Sequence, residues 1–117
     1  MLIFLLLATM FTANDLKQYC ASTVASDQSY CLGYLLGYDQ GAAYTALVAS
    51  GALDREVGTA GAEHTYQRIT GCSSDGVTMG QVKLIFLKYV DEHPEELHLP
   101  ASFILSKSLV AAFPCRQ

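Results

Sequence analysis

The chain has no tryptophan, only three prolines, and charged residues at 15% of its 117 positions. Seven lysines and arginines stand against eleven acidic residues, a net charge of −4, and the basic residues form no cluster. Nucleic-acid binding is therefore excluded as a reading, while a mildly acidic surface is compatible with a basic protein partner. None of the four cysteines lies in a C-x-x-C pair, so thioredoxin-like redox chemistry and the common zinc spacings both fail. Walker and Rossmann fingerprints are absent. Ser73, Ser74 and Asp75 follow Cys72 without a G-x-S-x-G elbow. His93 and His98 are not spaced to share a helix face. Glu95 and Glu96 are adjacent, which is poor geometry for paired acid–base work. No nucleophile, base and orienter can be assembled, and the chain reads as a non-enzyme without metal or cofactor.

Long membrane-spanning runs are also missing. The apolar run from Leu2 to Ala13 is too short for a stable span and has the length of a secretory h-region. It lacks a preceding Lys or Arg and a clean small-x-small cleavage site. The expectation is an export signal over 1–13, cleaved or truncated, ahead of a single domain over 14–117. The competing reading is an N-terminal helix packed into the core.

What is present is a hydrophobic content of 51%, enough for a folded globule. Cys20, Cys31, Cys72 and Cys115 are an even set in a small chain, which in an oxidising compartment implies two disulfides. Three connectivities are open; the preferred one joins Cys31 to Cys72 and Cys20 to Cys115. Each bridge typically contributes about 2–4 kcal/mol.

The pattern of apolar residues is helical throughout. A short helix is expected over about Asp15–Cys20 with Asn14 as N-cap, and a longer one over about Asp27–Ser50 with Gly51 at C′. Thr78 and Gln81 have capping-box spacing, with Val77 and Val82 placed as a hydrophobic staple. Val82, Ile85, Phe86, Tyr89 and Val90 form one helix face. Leu84 and Leu87 make a second strip, covered either within a bundle or at a dimer seam. Pro94 stops this helix, Pro100 suits the first turn of the next, and Leu105, Leu109, Ala112 and Phe113 line the face of that last helix. The fold class is all-α, a disulfide-stapled bundle of about four helices.

Gly33, Gly37 and Gly41 recur every four residues along the long helix, leaving a face without side chains. Interior glycines cost roughly 1 kcal/mol each relative to alanine, so close packing must compensate. The preferred cover is the C-terminal helical hairpin; the alternative is a dimer seam. Tyr30, Tyr34 and Tyr38 form a ladder that is either half-buried or a binding face.

The C-terminal third also resembles a known family. Gly76-Val77-Thr78, Gly80-Gln81, Tyr89-Val90, His93-Pro94-Glu95-Glu96-Leu97-His98, Pro100-Ala101 and Ala112-Phe113-Pro114-Cys115 are similar to the Rap/Tai family of periplasmic amidase-immunity proteins of type VI secretion systems. Cys31-Leu32-Gly33-Tyr34 extends the likeness more loosely. Ser74 departs from it, since the family tends to place a proline there. The resemblance implies a periplasmic homodimer that silences a peptidoglycan amidase by occluding its cysteine–histidine cleft. An alternative is a periplasmic helical interaction or chaperone-like module with no toxin partner.

Leu53–Gly71 is polar, glycine-punctuated and long for a connection, with a short helix allowed over Ala62–Ile69. A blocking element needs polar and aromatic tips, and this segment offers Asp54, Arg55, Glu56, Glu63, His64, Tyr66, Gln67 and Arg68 as toxin-binding candidates. Tyr66 and Arg68 are the expected anchors, being residue types enriched among interface hot spots. The plain alternative is a solvated connector.

Overall fold

A computed structural model of the protein describes residues 10–51 and 60–116. Among the described residues there are five α-helices and no strands: α1 (Ala13–Ala21), α2 (Ala25–Ala49), α3 (Ala60–Thr70), α4 (Met79–Glu92) and α5 (Ala101–Ala112). A 3₁₀ turn, Pro94–Glu96, joins α4 to α5. The all-α expectation holds, with five helices in place of about four, because the polar segment around Glu63 folds into a full helix.

Helix α1 begins two residues earlier than its apolar pattern suggests. Thr12, and not Asn14, is the N-cap: its hydroxyl accepts from the Asp15 N–H, and the Asp15 carboxylate accepts from the Thr12 N–H, a complete capping box. The segment ahead of α1 is pinned to the start of α5. Ala13 N–H donates to the Leu99 carbonyl at 2.8 Å and Ala101 N–H to the Phe11 carbonyl at 2.9 Å, around an isolated bridge between Thr12 and Pro100. Phe11 and Thr12, which a boundary at Ala13 assigns to the export segment, are thus built into the fold. The remainder of that segment, residues 1–9, lies outside the described residues.

The turn between α1 and α2 is organised by Ser22. Its hydroxyl donates to Asp27 at 2.7 Å and accepts from Val24 N–H at 3.1 Å. Asp27, in the first turn of α2, also complements the positive end of the helix dipole. At the far end Gly51 takes a positive φ of 73°, the left-handed C′ conformation that glycine adopts most easily.

One core runs through the bundle. Leu16 from α1, Leu35 from α2, Val82, Phe86 and Val90 from α4, and Ile104, Leu105 and Leu109 from α5 are all buried in it. Thr78 caps α4 by accepting from Gln81 N–H at 3.1 Å, and Val77 packs beside the core as a staple should. The phase expected for α4 is observed. Leu84, the second strip, is 64% exposed and Leu87 is part-buried, so no helix among the described residues covers Leu84. In α5 the buried stripe is Ala101, Ile104, Leu105, Ser108 and Leu109, whereas Ala112 is exposed. Buried Ser108 satisfies its hydroxyl on the Ile104 carbonyl at 2.7 Å.

The disulfides differ from the preferred pairing. Cys20 joins Cys31, and Cys72 joins Cys115. The physical reason is local: the α1–α2 turn folds Cys20 back beside the first turns of α2, with the two Cα atoms 5.0 Å apart. Cys72, just after α3, meets the chain leaving α5, where Cys72 N–H also donates to the Phe113 carbonyl at 2.8 Å. The glycine stripe corrects a second expectation. A Cβ at Gly33, Gly37 or Gly41 would meet nothing within 4 Å, so these glycines are not packed against the C-terminal hairpin.

Candidate partner-binding surface

Helix α3 packs along α2 and is tied down at its C-terminal end. Two hydroxyls converge on the Ile69 carbonyl, from Tyr38 at 3.2 Å and from Ser106 at 2.6 Å. Gly71 follows with φ of 81°, and a Cβ there would lie 2.7 Å from the Leu109 carbonyl oxygen and 2.9 Å from that of Phe113. Only glycine lets the chain pass this close to α5. The Cys72–Cys115 bridge closes the same corner. Ala62 of α3 is buried, as are Ala42 and Ala46 of α2, so small side chains let α3 lie close along α2.

This scaffold sorts the sequence candidates. Glu63, His64 and Arg68 are exposed on α3, and Gln67 is part-buried. Tyr66 points inward: its hydroxyl donates to the Asp39 carboxylate, so it anchors α3 rather than standing free at a tip. Burial, and next the Asp39 carboxylate, push the Tyr66 hydroxyl up to about 12. Asp54, Arg55 and Glu56 lie outside the described residues. Asp39, the partner that orients Tyr66, carried no signal in the sequence, because its role depends on α2 and α3 being neighbours.

The turn after α4 forms a second polar feature. His93 Nδ1 lies 2.8 Å from the Tyr89 carbonyl, and its ring stacks on the Tyr89 ring at 4.1 Å. Tyr89 donates to Glu96 at 2.7 Å, and Lys107 pairs with the same carboxylate. The Lys107 ammonium first, and then the Tyr89 hydroxyl, hold Glu96 below the usual carboxylate range. His93, Glu95 and Glu96 bring three potential donor atoms within 4.8 Å of one another. Both oxygens of Glu96 are already engaged, by Lys107 and by Tyr89, so the cluster works as a clasp between the turn and α5.

The third feature is an open groove of about 700 Å³ between α2 and α5, lined by Tyr34, Tyr38, Gly37, Gly41, Phe103 and neighbouring residues. Phe103 is 52% exposed at its edge. The tyrosine ladder divides here. Tyr30 and Tyr34 join Phe11 in an aromatic cluster, with centroids 5.9 and 5.3 Å from the Phe11 ring, while Tyr38 turns to Ile69. No helix among the described residues is long and apolar enough to cross a membrane. All four cysteines are in disulfides, so none is a thiol nucleophile.

The described residues thus form a disulfide-stapled helical bundle in which α3 presents a polar outer edge. The profile of the Rap1a immunity proteins matches residues 12–115, and the chain belongs to that family. Membership implies an immunity protein that binds a secreted effector, in a family that is generally non-enzymatic. No curated protein and no solved structure matches the chain.

Proposed function

We propose that the protein works in the periplasm, where it binds a peptidoglycan amidase delivered by a type VI secretion system and silences it by occluding the active-site cleft. The observation that carries this reading is the family match, which spans the fold from the α1 cap to Cys115. The two disulfides support an oxidising compartment. Residues ahead of Phe11 act as the export signal in this reading, and the protein acts as a homodimer.

In this reading the surface that meets the amidase is the exposed edge of α3. Glu63, His64 and Arg68 present a mixed-charge edge on a helix anchored along α2, which suits contact with a polar cleft. The test mixes the purified protein with candidate secreted amidases and follows peptidoglycan hydrolysis. One amidase loses activity at stoichiometric ratio. A Glu63→Ala, His64→Ala, Arg68→Ala triple variant keeps its fold, because all three are exposed, and loses at least tenfold in affinity, since one hot spot alone is worth about 2 kcal/mol. If every candidate amidase stays active, the reading fails. A second reading, a chaperone-like periplasmic module, draws on the exposed apolar residues of α2 and predicts monomerisation with hydrophobic-dye binding at low pH.

A further inference from the structure

A cleft of about 190 Å³ lies where α2, α3, α4 and the chain leaving α5 come together. Leu35 and Leu109 bring core side chains to its wall. Tyr38, Tyr66 and Phe113 add three aromatic rings. Asp39 is the only charged residue that lines it.

Asp39 carries a charge that its structural task does not need. Its Oδ1 accepts from the Tyr66 hydroxyl. An asparagine presents the same kind of acceptor without the cost of desolvating a carboxylate. Its Oδ2 has no hydrogen-bond donor among the described residues. No side-chain oxygen shut off from solvent lacks a partner there, so Oδ2 is reachable from outside. The pair of Lys107 with Glu96 is the only ion pair among the described residues, so none of their cations neutralises Asp39. The charge is felt across the cleft: burial first, and more weakly Asp39, raise the Tyr38 hydroxyl above its ordinary value.

A part-buried carboxylate with no cation, beside aromatic rings, is complementary to an ammonium. The carboxylate accepts a charge-assisted hydrogen bond, and aromatic faces attract cations. The apolar wall suits a hydrocarbon stem. An anion would be repelled by Asp39, and a neutral apolar group would leave the carboxylate desolvated and unpaired. Volume sets the size. Drug-sized ligands occupy about 300–1,000 Å³, so this smaller cleft suits a small amine or a single side chain.

We propose that the cleft binds a primary ammonium on an apolar stem, with Asp39 Oδ2 as its counter-ion and the rings of Tyr38, Tyr66 and Phe113 around it. Two sources present this chemistry, a free small amine and a lysine side chain of a bound protein. Ammonium binding does not require the amidase reading.

The test titrates 2-phenylethylammonium into the full-length protein by two-dimensional NMR, with 2-phenylethanol as its uncharged twin. The amine binds saturably and moves the amide signals of Asp39, Thr70 and Ser73, which line the cleft. The alcohol binds about tenfold more weakly or worse, the worth of one hydrogen bond to a charged group. An alcohol that matches the amine overturns the site, as do signals that move only elsewhere.

Two variants separate the charge from the anchor. Asp39→Asn keeps an acceptor for Tyr66 and loses the charge, and its amine binding falls to that of the alcohol. Tyr66→Phe loses the hydrogen bond and keeps both charge and ring, and it binds the amine as wild type does. If both variants lose binding alike, Asp39 only anchors α3 and the proposal falls. Amidase inhibition then names the source. A loss in Asp39→Asn but not in Tyr66→Phe assigns the ammonium to a lysine of the amidase. Full inhibition by Asp39→Asn, beside lost amine binding, assigns it to a free amine. A wild type that inhibits no amidase yet binds the amine refutes the immunity reading and keeps this one.

Discussion

Tyr66 donates its hydroxyl to Asp39, 27 residues earlier in the chain, and this bond ties α3 to the long α2. The folded chain holds the Tyr66 proton more tightly than the unfolded chain, with the hydroxyl pushed up to about 12 from 10.0 by burial and by the neighbouring carboxylate. The raised value stabilises the fold fully below pH 10, and this contribution is lost as pH rises towards 12. After solvent screening it amounts to about 1 kcal/mol. In urea titrations Tyr66→Phe is about 1 kcal/mol less stable than wild type at neutral pH, and the gap closes between pH 10 and 12. A gap unchanged across that window would place the hydroxyl outside the contact.

Gly71 separates a backbone requirement from a spacing coincidence. Its left-handed φ costs an L-residue roughly 1–2 kcal/mol, and the carbonyl oxygens of Leu109 and Phe113 at 2.7 and 2.9 Å add a clash. Gly71→Ala is expected to destabilise by about 3 kcal/mol in denaturant titration, with the clash counted at the low end of overpacking. Gly33→Ala, in open space on a helix, goes the other way in dilute monomer, by up to about 1 kcal/mol.

Phe86 is the largest fully buried side chain, 0% exposed between α1, α2 and α5. Phe86→Ala leaves a cavity that these helices cannot close and costs about 3–5 kcal/mol. Denaturant midpoints at constant m-value measure it.

The two bridges differ in accessibility and in loop length. Cys20 and Cys31 are buried, at 3% and 0% exposure, whereas Cys115 is exposed. Graded reduction followed by alkylation and peptide mapping therefore labels Cys72 and Cys115 first. The chain-entropy relation assigns about 4 kcal/mol to the bridge with sequence separation 43 and about 3 kcal/mol to the one with separation 11. Paired Cys→Ala variants in urea test the ordering, and the buried pair adds a packing loss to its share.

Local chemistry was legible in the sequence wherever it is sufficient. The Thr78 cap, the Pro94 stop, the Gly51 terminus and the phase of Val82, Phe86 and Val90 all follow from spacing. The Thr12–Asp15 cap was hidden because it sits at the end of an apolar run that reads as an export signal. Burial of Ile104 and exposure of Ala112 depend on how α5 is rotated against α4, which a run of apolar residues does not decide. Disulfide pairing and the bare glycine stripe are tertiary facts, set by which helices meet. Of the candidate site, Glu63, His64 and Arg68 were legible as polar and exposed. The inward turn of Tyr66 was not, because it needs Asp39 opposite.

The order of the two disulfides along the chain bears on how the protein matures. Each bridge joins neighbouring cysteines, first with second and third with fourth. Under the proposed export, a chain entering an oxidising compartment N-terminus first would present Cys20 and Cys31 before Cys72, so simple order of arrival would give the native pair. The bridge around Thr12 and Pro100, however, must wait: Phe11 and Ala13 find their backbone partners only at Ala101 and Leu99. Helix α1 can be tied to α2 through Cys20–Cys31 first, while the segment ahead of it is pinned only when the last third of the chain is in place.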